Sequence, residues 1–407
     1  MTFHKRLGSG LAILISCLVC LLPASAFAQT ERSTDTRAQI PHWLENGIVA
    51  FDIGALRYPF SRLQLEPGQT VDRVDAPPTS MRLALIAKEL SPHVSAQLTY
   101  LRPVEYVSYR RINNTLEDRT VWMHYATLTA RLRAPLAGRL GIFGEVGGAL
   151  VTRSGFSLDD KEVVRDAMHL HPVIGAGLEL RFNPRWTMTG GATWIPAHDD
   201  DRQPRSLFLS GGVRYTMRRL PADTVAAVQA AGYIFPKTLV HLEVTGGTGY
   251  GVNTFFARSV PIFWGGNVKV DQGVAIHTER NVFHSTRLFS IGIGATLGAW
   301  KTRRDDQRFT TVSVYPVLRF TVVRARAFDL YLMHSMAGPT FISTTFLDGH
   351  ETGRRFTFQD FMGLGIFAGR TRNVHLGVKI NHYSNGNLFP QNAGVKIPLT
   401  LVAGITF

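Results

Sequence analysis

Trp122-Met123-His124-Tyr125-Ala126-Thr127-Leu128-Thr129-Ala130-Arg131-Leu132-Arg133 alternates residue by residue. Ala126, Leu128, Ala130 and Leu132 share one side of an extended chain; Thr127, Thr129, Arg131 and Arg133 share the other. A period of two is that of a strand with two unlike faces. A soluble sandwich would bury the apolar row, but it has no reason to set arginines and many glycines against it. A membrane barrel turns the apolar row to lipid and the polar, glycine-containing row to its lumen.

The same alternation recurs from Ile48 to the C-terminus. His93 to Tyr100 places Val94, Ala96, Leu98 and Tyr100 on one face, with Ser95, Gln97 and Thr99 on the other. Short links at Ser91-Pro92, Pro135 to Gly138 and Asn183-Pro184-Arg185 alternate with longer polar loops at 59–78, 111–118, 154–167 and 197–204. The second half repeats the scheme, with short links at Arg324 to Arg326 and Gly369 to Arg372 and long loops at 301–308, 343–355 and 386–395. Short periplasmic turns and longer external loops are expected of outer-membrane barrels. The stretch 272–284 reads as a connection too long for a periplasmic turn. Gly246-Gly247 and Gly363-x-Gly365 lack a strand-to-helix context and read as room for side chains in a narrow lumen.

About eight strands precede residue 219 and about eight follow residue 237. Between them, Pro221 and the helix-prone Val225 to Ala231 break the alternation. The expected fold is therefore all-β, a transmembrane antiparallel barrel protein. The reading adopted has two tandem eight-stranded barrels, at 29–219 and 237–407, joined by a linker at 220–236. One sixteen-stranded barrel is the alternative, because sixteen strands also close around a channel. The last strand, Lys396 to Phe407, puts its large apolar residues at odd positions. Its terminal Phe407 resembles the outer-membrane assembly signal.

Composition agrees with this class. The 407 residues are 45% hydrophobic and only 18% charged, yet no apolar run after the first thirty could cross a bilayer as a helix. Residues 1–28 read as a signal peptide: Lys5 and Arg6, an apolar core from Leu11 to Leu22, then Ala26-Phe27-Ala28. Both cysteines, Cys17 and Cys20, fall inside it, so thiol and disulfide chemistry are excluded from the mature chain. Its removal takes the net charge from +14 to +12. An exported basic chain without a recognition-helix signature points away from nucleic acid and toward the phosphates of lipopolysaccharide in a bacterial outer membrane. His198-Asp199-Asp200-Asp201 lacks the ligand spacing of a calcium loop and reads as a solvated loop tip, so no metal site is assigned.

The chemistry concentrates on the penultimate strand. From Asn373, Val374, Leu376, Val378 and Ile380 define the outward row, and the parity carries His382 and Ser384 onto it. Two residues apart on a strand means about 6.6 Å between Cα atoms on one side. That separation lets a serine nucleophile meet a histidine base. At a strand end, the pair would face a lipid's ester region.

His382-Tyr383-Ser384-Asn385-Gly386-Asn387-Leu388 followed by Asn392-Ala393-Gly394 resembles the active-site segment of the lipid A 3-O-deacylase family. The resemblance covers about Thr238 to Phe407, is sharp over 382–394, and leaves the first half untouched. It implies an eight-stranded outer-membrane barrel that hydrolyses an acyl ester of lipid A without a cofactor. It implies His382 as general base, Ser384 as nucleophile, and Asn385 and Asn392 near the oxyanion. The family's best-known members have a glutamate two residues after the matching glycine, where this chain has Lys396. Asp360 is the candidate for the missing acid: it shares the outward parity of Phe356, Phe358, Met362, Leu364 and Ile366 and starts beside the end of the His382 strand. The alternative for Asp360 is an interfacial pair with Arg354 or Arg355. Lys396, by its own parity, points to the lumen. Lys301, Arg303, Arg304, Arg354 and Arg355 form a basic rim suited to glucosamine phosphates. The competing reading is a non-enzymatic barrel, a porin or a structural or adhesive protein. Oligomeric state is open, a homodimer included.

Overall fold

The computed structural model describes residues 35–259, 265–389 and 391–407; the export segment 1–28 lies outside them. The wall strands of the first half are β1 (Ile48–Arg57), β2 (Thr79–Ser91), β3 (Val94–Pro103), β4 (Arg119–Ala137), β5 (Leu140–Ser154), β6 (Ala167–Arg181), β7 (Trp186–Ile195) and β8 (Ser206–Thr216). Each pairs antiparallel with the next, and β1 closes on β8 through Ile48↔Thr216 to Arg57↔Leu207. The second half has β9 (Thr238–Gly246), β10 (Val268–His284), β11 (Phe289–Thr302), β12 (Arg308–Arg324), β13 (Phe328–Ile342), β14 (Phe356–Ala368), β15 (Val374–Ser384) and β16 (Val395–Thr406). It closes through Leu239↔Thr406 to Thr245↔Thr400. Tyr215 pairs with Val49 and Trp186, while Val240 pairs with Thr278 and Ile405. Two separate eight-stranded barrels result, and the sixteen-stranded alternative is ruled out.

The alternation decides which way each side chain faces. Leu128, Leu132, Val146, Leu242, Val244 and Ile405 stand exposed on the outer walls. On a soluble protein such continuous apolar rows would be a liability; in a bilayer they are the contact surface. Inside the first barrel, Arg82 pairs with Asp52 at 2.9 Å and with Glu145 at 3.3 Å, and the Arg131 guanidinium lies 3.3 Å from the centroid of Phe143. Inside the second, Lys379 meets Glu243 at 2.6 Å, Arg319 grips Glu279, and the Tyr331 ring fills the space that a Cβ on Gly365 would take. Arg82, Lys379 and Arg319 are tolerated in the interior because each finds a carboxylate, whereas the Arg131 cation rests on an aromatic face. Eight strands enclose only enough room for such side chains, so neither lumen is an open pore.

Residues 272–284 are not a connection but most of β10. His277 and Glu279 gave them a loop-like polarity, yet both face inward, onto Tyr315 and Arg319. The long external connection lies earlier, between β9 and β10, and carries helix α2 (Tyr250–Ser259); helix α1 (Ala222–Ala230) lies between the barrels in sequence. Above the first barrel, an extra strand pair, Val71–Asp75 with Val107–Ile112, extends one wall beyond the membrane zone. Leu56, Tyr58, Tyr109 and Tyr125 pack a core beneath it.

Candidate active site

His382 and Ser384 end β15 on its outer face, and the cross-strand register sets their neighbours. On the β14 side, Asp360 lies opposite His382 and Phe358 opposite Ser384. Opposed residues of an antiparallel pair share a face. Asp360 Oδ2 lies 3.7 Å from His382 Nδ1, an ion-pair separation somewhat longer than a hydrogen bond. Both residues are buried. The second carboxylate oxygen, Oδ1, accepts the Ala337 N–H at 2.6 Å. A bulge on β13, where Ser335 and Gly338 pair with Phe361 and Gln359, leaves Ala337 at φ 55° and aims that N–H outward. The acid is thus brought to the histidine, while Arg354 lies over the Phe389 ring at 4.7 Å.

The other ring nitrogen faces the loop that follows. A Cβ on Gly394 would lie 3.3 Å from His382 Nε2, and Gly394 adopts φ 61°. Asn385 is fully buried: its backbone N–H donates to Asn392 Oδ1 at 3.0 Å, and its amide donates to Thr352 O at 3.3 Å and Gln391 O at 2.6 Å. An amide group has two hydrogens, so these contacts use both. Asn392 gives one of its own to Asn387 Oδ1 at 2.6 Å. The asparagines hold the 385–394 loop in shape beside the dyad.

Lys396 departs from its expected side. Lys379 pairs with Thr400 but Asn381 pairs with Ile397, so β16 carries one residue more than β15 between these points. The bulge contains Pro398, which has no N–H to lose from the ladder. Below it, Leu401, Ile405 and Phe407 face lipid as the odd-position rule requires. Above it the parity reverses: Ile397 is fully buried beside Tyr383, and Lys396 lies opposite His382 on the outer face. The lumen-facing expectation for Lys396 is thereby corrected; one extra residue in the strand is the reason.

The first barrel reaches the loop. Tyr100 Oη donates to Gly386 O at 2.7 Å, Thr152 Oγ1 donates to Leu388 O at 3.2 Å, and Asn387 Nδ2 meets His124 Nε2 at 3.2 Å. Tyr100, His124 and Thr152 come from β3, β4 and β5 at outward-facing positions, and both barrels belong to one compact unit, Arg37–Phe407. The sequence pattern assigned these residues no role, although a histidine in a lipid-facing row was a signal. A cleft of about 450 Å³ opens beside the contact, with Thr120, Trp122 and Glu162 on one side and Asn387 and Asn392 on the other.

Closed barrels with lipid-facing apolar rows and side-chain-filled interiors define this chain as an integral protein of the bacterial outer membrane. Residues 264–397 match the sequence profile of the lipid A 3-O-deacylase (PagL) family. The matched stretch contains Asp360, His382, Ser384 and the loop through Lys396, and no residue of the first barrel. Sequence comparison with curated proteins returned no match. Among solved structures, the outer membrane enzyme PagL is 15% identical, aligning over 42% of this chain and 99% of its own at a TM-score of 0.31. The N-terminal β-barrel domain of Pseudomonas aeruginosa OprF (14%, 42% and 98%, TM-score 0.27) and the Yersinia pestis attachment protein Ail (16%, 42% and 99%, TM-score 0.27) are similar to the same extent.

Proposed function

We propose that the second barrel is a serine esterase that removes an ester-linked acyl chain from lipid A. The observation that carries this reading is His382 placed between Asp360 and the Ser384 strand end, on the outer face and within the family-matched stretch. His382 Nε2 takes the Ser384 proton as Oγ attacks the ester carbonyl, then returns it to the departing sugar hydroxyl. Water repeats the sequence on the acyl-enzyme and releases a fatty acid. Asp360 holds Nδ1 and favours the imidazolium that forms. Asn392, with an amide hydrogen beyond the one given to Asn387, is the side-chain donor best suited to the oxyanion; Asn385 shapes the loop instead.

No metal or cofactor is required by this chemistry. Arg303, Arg304, Arg354 and Arg355 are exposed at the external rim and suit the glucosamine phosphates, whereas Lys301 is engaged with Asp306 at 2.9 Å. The first barrel covers one side of the site, so the ester enters along the groove between the barrels.

One observation favours a non-catalytic second barrel: a lysine opposite the histidine opposes the imidazolium. Mass spectrometry of lipid A from cells carrying the intact protein, Ser384→Ala, or neither separates the readings. The esterase predicts loss of one acyl mass with the intact protein only. Identical lipid A in all three, with both barrels folded in the membrane, would overturn it.

A further inference from the structure

We propose that the external mouth of the first barrel binds one divalent transition-metal ion of the zinc class through His169, His171, His198 and Asp201. His169 and His171 lie two apart on β6 and face the lumen with Val173. His198 and Asp201 come from the β7–β8 loop, which is pinned by reciprocal His198 and Gln203 backbone hydrogen bonds of 3.0 and 2.9 Å. The loop carries its side chains back over the wall. His169 Nδ1 lies 3.1 Å and His198 Nδ1 3.5 Å from the same oxygen, Asp201 Oδ2. The three imidazole centroids are 4.5, 4.7 and 5.1 Å apart. Ligand atoms of His169, His198 and Asp201 all fall within 4.8 Å of one another. A tetrahedral ion with bonds of about 2.0–2.1 Å sets its ligand atoms about 3.3–3.4 Å apart, so side-chain rotations that shift these atoms by about an ångström would close the cluster on it.

A second observation is independent of the spacing. His169 Nε2, His171 Nε2 and His198 Nδ1 are buried with no hydrogen-bond partner. Such atoms call for an explanation, and an ion accepting their lone pairs supplies one. Arg153 does not compete for the carboxylate, since it donates to the Asp201 carbonyl at 2.8 Å and to Gln203 Oε1 at 3.2 Å. Asp199 and Asp200 are exposed, so the donor set is three imidazoles and one carboxylate rather than the oxygen cage that calcium takes. The other histidine–carboxylate cluster, His241, Glu243 and His277, is different: the Lys379 ammonium already occupies the cation's place, 2.6 Å from Glu243. A bound ion would tie the loop to the barrel mouth.

The test uses the full chain without a histidine tag, refolded in detergent and stripped with a chelator. Zinc chloride titrated by calorimetry should bind one-to-one. His171→Ala and His198→Ala should each weaken binding by at least about 100-fold, more than the loss of an outer-shell partner, while His93→Ala, in an exposed periplasmic turn, should change nothing. Heat-modifiable gel migration checks that each variant is folded. Cobalt added to the unmutated chain should give the intense visible bands of a tetrahedral site, a readout that does not depend on any variant folding. Absence of one-to-one zinc binding or of those bands in folded protein, or a His171→Ala/His198→Ala double variant that binds as tightly as the parent, would overturn the proposal.

Discussion

His382 sits between a carboxylate on one neighbouring strand and a lysine on the other, and its three partners can be varied one at a time. Ser384→Ala should reduce acyl release by about 10³–10⁶-fold, the range for loss of a nucleophile that acts as part of a unit. The half-buried hydroxyl lies at a strand end, so stability should move by no more than about 0.5 kcal/mol. His382→Ala should give the same loss, and the double variant no more, because the two act together. Asp360→Asn should fall between parent and Ser384→Ala, since the carboxylate contacts Nδ1 at 3.7 Å and is not itself consumed. Fatty-acid release assayed on purified lipopolysaccharide checks all three; an Asp360→Asn variant with parental rates would remove the acid from the machinery. Lys396→Glu is the converse change. Because the bulge brings position 396 to the outer face opposite His382, a carboxylate there should raise the rate and partly rescue Asp360→Asn. A variant no faster than the parent would show that the cross-strand cation does not restrain the histidine.

At the scale of the element, strand parity was legible wherever it ran unbroken. The outward row of β15 could be followed from Val374 to Ser384, and it led to the pairing with Asp360, because both strands stay in register from Ala368↔Val374 to Phe358↔Ser384. On β16 the same count failed. One inserted residue leaves composition and hydrophobicity unchanged while reversing every face beyond it, and Pro398 was the only mark of it in the sequence. The misread β10 has a different cause: His277 and Glu279 find Tyr315 and Arg319 on β12, and partners so distant in sequence are not visible in the polar run itself. The docking of β3, β4 and β5 onto the 385–394 loop left a single mark in the sequence, His124 in a lipid-facing row, because contacts between barrels have no period of their own. The loop's own geometry gives a prediction. Gly394 has φ 61°, and its missing Cβ would crowd His382 Nε2. Gly394→Ala should cost about 1–2 kcal/mol in backbone conformation and displace the imidazole. The measured kcat should fall with little change in the folded fraction; parental kcat would mean the loop tolerates the shift.

For the whole molecule, the question is what a second barrel does for a site built entirely in the first one's neighbour. All eight wall strands, the dyad and the acid lie between Thr238 and Phe407, and every wall hydrogen bond of that barrel is internal to it. A chain excised from Pro236 to Phe407 should therefore close by itself. In the full chain, however, the 386–388 loop is held from outside by Tyr100, His124 and Thr152. Each such hydrogen bond contributes about 0.5–1.5 kcal/mol net, and a loop between strand ends has few other anchors. The excised barrel should fold, as judged by heat-modifiable migration and a β-type circular dichroism spectrum, but release fatty acid more slowly than the full chain. Tyr100→Phe in the full chain isolates one anchor, since only the hydroxyl is lost. It should lower the rate by less than excision does and leave the fold intact. If the excised barrel and Tyr100→Phe both keep the full rate, the contact between the barrels serves something other than the 385–394 loop. If the excised barrel does not close, the first barrel is needed for assembly and not only for the site.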